Sequence, residues 1–263
     1  INIEEFEKRA KAGLIRRQST GDGEDRLSIW NYTAKASYEH AWDEYTMLAR
    51  GLITRPDCTI NARSFRKFFN LGETYDGTGI STDLPDEDPE ITMKMDGYLG
   101  LLYWYKDDWH VASRGSFTSE YAQWATSWLR TNNPNLKNEL LDREHTIVFE
   151  ILYPNRRIVV DNSSKYGLVM LAVVNNDTGA EMPRSILTIL GDLMRIPVVR
   201  AYPTSTLAEC VDTAKTLKGT ECEGFVAHYP ESGLRVKIKG DDYCKIHRIC
   251  TKLSARKVWQ ILA

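Results

Sequence analysis

No stretch of the 263 residues approaches the roughly 18 consecutive apolar residues that a membrane-spanning helix needs. The opening decapeptide, INIEEFEKRA, is charged and holds no apolar secretory core. Cysteine is sparse and odd in number, five residues (Cys58, Cys210, Cys222, Cys244, Cys250) with no Cys-x-x-Cys pair. That argues against a disulfide framework or a zinc site and for a reducing, cytoplasmic setting. His40, His110, His145, His228 and His247 show no metal-ligand spacing. No G-x-x-x-x-G-K-[ST] loop occurs, which speaks against a P-loop kinase. Internal repeats and low-complexity linkers are also missing. No excess of one charge is present either: the formal net charge is −2, so overall charge carries no nucleic-acid signal.

At 42% hydrophobic and 27% charged residues the chain has the composition of a folded protein, not of a disordered one. Charge is unevenly distributed. Asp83, Asp86, Glu87, Asp88 and Glu90 crowd one stretch, which reads as an exposed loop. Arg235 to Lys257 holds eight Lys or Arg against two acids, Asp241 and Asp242.

The spacing predicts a first helix over 3–12 and a loop over 19–37, rich in Gly, Asp, Ser and Asn. Strands are expected at 47–54, 59–65, 91–96, 98–105, 109–114, 146–152, 168–174, 224–229 and 233–239. Helices are expected at 185–194, 206–217 and from 241 onward. Phe117, Tyr121, Trp124 and Trp128 fall on one helical stripe, capped by Thr118 or Ser119 and facing a core. Strands arranged in hairpins with interspersed helices imply an α+β fold, with antiparallel sheets flanked by helices.

Four short motifs carry chemistry. In Lys94-Met95-Asp96-Gly97 a lysine at a strand end precedes a carboxylate, as a nucleophile would require. Alone, that tetrapeptide is too common to decide anything, and a turn after a strand is then the preferred explanation. Phe149-Glu150-Ile151 sets a carboxylate in a very apolar strand, where it needs a partner unless it faces solvent. Glu223-Gly224-Phe225-Val226 is the third motif. In the fourth, Lys237-Ile238-Lys239, both lysines leave one face of a strand, a costly arrangement unless an anion faces them.

Taken in order, these motifs resemble the covalent nucleotidyltransferase superfamily of ligases and capping enzymes. The flanking residues narrow the resemblance to the RNA ligase 1 family of large phages, ATP-dependent tRNA-repair ligases. They are Arg50-Gly51-Leu52-Ile53, Lys67-Phe68-Phe69-Asn70-Leu71-Gly72-Glu73, Ser113-Arg114-Gly115-Ser116, Asn155-Arg156-Arg157-Ile158-Val159-Val160 and Tyr243. The resemblance spans about Arg50 to Ile249 and is loose over 1–49. It implies an ATP-grasp-like nucleotidyltransferase domain over 50–263, with 1–49 part of the same unit. The chain stops in helical-looking sequence at Val258–Ala263, so the family's C-terminal specificity domain is expected to be absent. The lack of an initial Met reads as a trimmed start.

The resemblance also implies roles. Lys94 would be the nucleophile that carries AMP, with Lys237 and Lys239 supplying positive charge at the α-phosphate. Asp96, Glu150 and Glu223 would hold Mg2+, or Mn2+ in its place, through its waters. Arg50 and Lys67 would grip the β- and γ-phosphates, and Arg114 the sugar or a phosphate. Glu150 and Tyr243 would also belong to the ATP site. The backbone at Met93 would read adenine, with Val226 under the base. The substrate would be RNA with 5′-phosphate and 3′-hydroxyl ends, nicked tRNA among them, joined by a monomer that needs no membrane. Lys245, Arg248, Lys252, Arg256 and Lys257 would grip RNA phosphates. Arg156 stands where the family more often has Asn, Arg114 where it more often has Lys, and Asn162 near an often aromatic position. A DNA ligase, a capping guanylyltransferase and a non-catalytic RNA-binding module on the same fold stay open at this point.

Overall fold

A computed structural model describes residues 1–75, 80–81, 83–134, 136, 142–154, 157–162 and 165–252. Helix α1 (Ile3–Lys11) starts at Asn2, whose side chain accepts from the Glu5 amide, and carries acids in its first turn and bases in its last. Its buried residue, Phe6, packs on Trp30 and Tyr45. Strands β1 (Ile15–Thr20) and β2 (Leu27–Tyr32) follow, then short helices α2 (Ala34–Tyr38) and α3 (Glu44–Leu48), then β3 (Arg50–Thr54) and β4 (Ile60–Ala62). The four strands form one antiparallel sheet in the order β1-β2-β3-β4.

The chain continues through β5 (Phe69–Asn70), a small ribbon of β6 (Thr74–Tyr75) and β7 (Ile80–Ser81), and β8 (Glu90–Lys94). Strands β9 (Tyr98–Tyr105) and β10 (Asp108–Ser113) make a hairpin that leads into α4 (Glu120–Asn132). Next come β11 (His145–Leu152), β12 (Gly167–Asn175), α5 (Arg184–Met194) and α6 (Leu207–Thr216). Strands β13 (Gly224–His228) and β14 (Arg235–Lys239) and helix α7 (Asp241–Lys252) complete the described chain. The second sheet runs β10-β9-β11-β12 and the third β5-β14-β13-β8, where only the β5–β14 pairing is parallel among the named strands. The fold is α+β with antiparallel sheets and flanking helices.

Each sheet has its own core. Leu102, Trp109, Ile147, Phe149, Ile151 and Met170 pack beneath α4 and α5. Ile91, Phe225, Ala227, Val236 and Ile238 lie against Cys210 and Ala214 of α6. Leu27, Ile29, Ile53, Tyr103, Ala112 and Phe117 join the first sheet to the second. Fully buried side chains such as Phe149 and Ile151 each contribute about 1.5–3 kcal/mol. The opposite faces of the second and third sheets enclose a cleft of about 1560 Å³.

Several elements differ from the sequence reading. The segment 19–37 is not a loop, because β2 runs through it with five of its six residues buried. Met47 and Leu48 end a helix rather than begin a strand, since Asp43 and Thr46 form a capping box ahead of them. Phe117 precedes α4, which is capped by Ser119, and fills a core other than that of Tyr121, Trp124 and Trp128. The readings that fall on Asn155, Arg156 and 253–263 lie outside the described residues.

Candidate active site

Register builds the site. Lys94 pairs with Gly224, and Gly224 with Lys239, so one row across β8, β13 and β14 carries both lysines on the cleft face. Two residues along, Thr92, Val226 and Lys237 form the next row on that face, and Glu90, His228 and Arg235 the one after. The intervening Ile91, Phe225, Ala227, Val236 and Ile238 point to the core. Gly224 makes the first row feasible. Its φ is +139°, and a Cβ there would lie 2.0 Å from the Ile238 carbonyl oxygen.

Glu223, buried just ahead of β13, bridges the row. Its Oε2 lies 2.7 Å from Lys94 Nζ and its Oε1 2.9 Å from Lys239 Nζ. The Gly240 amide donates to the Glu223 carbonyl and fixes the backbone from the other side. Across the cleft stands Glu150, half-buried on β11. Burial raises its carboxyl to about 7, Glu223 adds to the rise, and Lys94 and Arg50 oppose it.

Asp96 is placed differently. It is buried, its Oδ2 accepts from the Val159 and Val160 amides at 2.8 and 2.7 Å, and its Oδ1 accepts from the Tyr243 hydroxyl at 2.7 Å. Three of its four acceptor positions are thus engaged. Tyr243, 2% exposed, lies beneath the K-x-D-G turn rather than along the cleft. Burial, Glu223 and the bond to Asp96 keep its phenol protonated far above the usual range.

A set of cations lines the cleft beside the first row. Arg50 Nη1 donates to Ser64 Oγ at 3.0 Å, and Lys67 Nζ donates to the Phe68 carbonyl at 3.0 Å. Neither they nor Lys237 has a carboxylate within ion-pair distance among the described residues. Burial, reinforced by neighbouring cations, lowers Arg50 to about 10, Lys67 to about 8 and Lys237 well below the ordinary lysine range. Arg114 is exposed and donates to the Tyr32 hydroxyl at 3.0 Å. Met93 and Val226 border the cleft, and the Met93 amide donates to the Arg200 carbonyl. Lys245 and Arg248 are exposed on α7 and Lys252 ends that helix; Arg256 and Lys257 lie outside the described residues.

The structure therefore brings Lys94, Lys237, Arg50, Lys67 and Glu150 around one cleft, with Glu223 paired to Lys94 at its edge and Lys239 paired to Glu223. It sets Asp96 and Tyr243 just behind it. Reading the sequence alone missed the aromatic seats of the cations, since nothing in Lys67-Phe68-Phe69 says which ring faces which charge. It also missed the Arg235–Glu181 pair that closes the cleft's far end beside His228.

Arg50, Lys67 and Lys237 thus face the cleft with no carboxylate in ion-pair distance among the described residues, beside the lysine row of β8, β13 and β14. Residues 48–243 match the family described as RNA ligase, and the chain belongs to that family. A protein of Autographa californica nuclear polyhedrosis virus, provisionally named a bifunctional polynucleotide kinase/RNA ligase, is 30% identical over 245 residues. That match takes in 86% of this chain and 34% of the viral protein, so the chain spans about a third of its relative's length. Among solved structures, an Aquifex aeolicus protein provisionally named an ATP-dependent DNA ligase aligns with a TM-score of 0.59 at 17% identity. It covers 90% of this chain and 62% of its own, and it shares the fold. The Naegleria gruberi RNA ligase solved with PPi aligns at 0.48 and 18% identity, over 62% of this chain and 52% of its own. No helix among the described residues is long and apolar enough to cross a membrane.

Proposed function

We propose that this chain is the adenylyltransferase part of an ATP-dependent RNA ligase, with Lys94 as the nucleophile. The observation that carries the reading is the row Lys94–Gly224–Lys239, spanned by Glu223 and flanked by Lys237. Lys94 Nζ attacks the α-phosphorus of ATP, the bond to pyrophosphate breaks, and AMP is held through a P–N bond. Glu223, 2.7 Å from Nζ, is placed to take the proton that the amine sheds. Lys237 and Lys239 stabilise the charge that builds on the α-phosphate, and Arg50 and Lys67 hold the departing pyrophosphate in line. AMP then passes to a 5′-phosphate RNA end, and a 3′-hydroxyl displaces it to seal the strand.

The residues fit a divalent cation held through water. Among the described residues no group of three or more His, Cys, Asp or Glu could ligate a metal directly. Glu150 and Glu223 nevertheless sit within electrostatic reach of each other, and Glu150 carries a burial penalty that a hydrated cation would relieve. Asp96 has one acceptor position left for the same shell. When bound, such an ion supplies charge neutralisation on the phosphates.

The test is intact-protein mass after incubation with Mg2+ and either ATP or GTP. ATP should add one AMP, pyrophosphate should remove it, and Lys94→Ala should take up none. Addition of GMP instead would favour a capping-type reaction. No adduct with either nucleotide in folded protein would overturn catalysis by this chain and favour the RNA-binding reading. Sealing of 5′-phosphate RNA but not of DNA by the full-length protein checks the substrate.

A further inference from the structure

Three cations that line the cleft without a carboxylate converge on a single neutral residue. The ring of Phe68 lies under Arg50, with Cζ 5.2 Å from its centroid, and under Lys237, with Nζ 4.5 Å away. The Phe68 carbonyl accepts from Lys67 at 3.0 Å. Phe65 meets Phe68 edge to face, with centroids 6.5 Å apart, and carries Arg235 on its own ring at 3.9 Å. Phe69 lies under Lys67 at 3.8 Å. The three phenylalanines sit in and just beyond a stretch without regular secondary structure until Phe69, where the Lys67 amide donates to the Met47 carbonyl and the aromatic rings add side-chain contacts.

A carboxylate at position 68 would hold the same cations, but it would neutralise them and repel an incoming phosphate. A π face attracts cations while adding no net charge. Arg50, Lys67 and Lys237 repel one another through a partly desolvated site, and something must set their spacing before a polyanion arrives.

We infer that Phe68 is a positioning residue for the anion grip, its ring and carbonyl holding Arg50, Lys237 and Lys67 in place while leaving their charge uncompensated. The inference rests on the function proposed above, and it names which residue organises the phosphate end of that site. A phenylalanine can neither attack phosphorus nor move a proton, so the effect of Phe68 belongs in binding and alignment.

The test compares Phe68→Leu, Phe68→Trp and a series of fluorinated phenylalanines placed at position 68, which weaken the ring face while keeping its shape. Adduct formation is followed against ATP concentration. Phe68→Leu should raise the ATP KM about ten-fold with a much smaller change in kcat, and Phe68→Trp should restore it to within about three-fold. Log KM should climb steadily with each added fluorine. Inorganic tripolyphosphate, which needs no catalysis, should raise the melting temperature of the parent protein and do so far less for Phe68→Leu. A KM unmoved by leucine, or flat across the fluorinated series, would overturn the inference. Absence of any adduct on the parent protein would instead sink the proposed function, and tripolyphosphate protection would still decide the role of Phe68. Should the leucine variant fail to fold, the fluorinated series, nearly isosteric with phenylalanine, settles whether the ring face matters.

Discussion

Glu150 shows how one residue couples the site to stability. Its carboxyl stands at about 7 in the folded chain against 4.5 as its ordinary value, so the folded state holds a proton that the unfolded state has released. Between those values the native protein binds more protons, and stability falls as pH rises from about 4.5 to about 7, then levels. Glu150→Gln removes this limb. In protein free of nucleotide and metal, the variant should exceed the parent by about 2–3 kcal/mol at pH 8 and by little at pH 4.5. Denaturant melts of both proteins across that range check it, and parallel curves would show that Glu150 is ionised throughout. The same variant should lose adduct formation if the carboxylate serves the ATP site. At this scale the sequence was informative in part: a Glu between Phe149 and Ile151 marks a carboxylate that needs a partner unless it faces solvent. It could not announce that the Tyr243 hydroxyl reaches Asp96, because that bond joins residues 147 apart.

Among elements, the hairpin β13–β14 does the most for the site. Gly224 lies between the two lysines, where any Cβ would run into the Ile238 carbonyl. Gly224→Ala forces a Cβ into backbone at a positive φ and should destabilise the protein by about 2–4 kcal/mol, with adduct formation falling alongside. An unchanged melting curve would mean that the strands can part locally at no cost. The long hairpins were legible because their alternation and turns are local, as in β9–β10 around Lys106 and Asp107. Strand β2 was not, because burial on both faces erases alternation and Ser28 and Asn31 look like loop residues. Strand β5 is two residues long and pairs with β14 across more than 160 positions, which no local pattern encodes.

Across the molecule, the sheets are tied by a small buried polar network. The Asn176 side chain accepts from Thr146 Oγ1 at 2.6 Å and donates to the Asn61 and Arg143 carbonyls at 3.1 and 3.0 Å. Thr146 accepts from the Arg63 amide, at the start of the stretch that carries Ser64, Lys67 and Phe68. Asn176→Ala would leave two carbonyls and a hydroxyl short of partners and should cost about 2–4 kcal/mol in denaturant melts. A loss under about 0.5 kcal/mol would show that water replaces the amide. The third sheet, finally, writes two texts on alternate letters of the same strands. Ile91, Phe225, Val236 and Ile238 spell the core, while Thr92, Val226 and Lys237 spell the cleft. A designer can therefore retune heat resistance on one set and substrate preference on the other. An insertion of a single residue within β13 or β14 would exchange the two and scramble both at once.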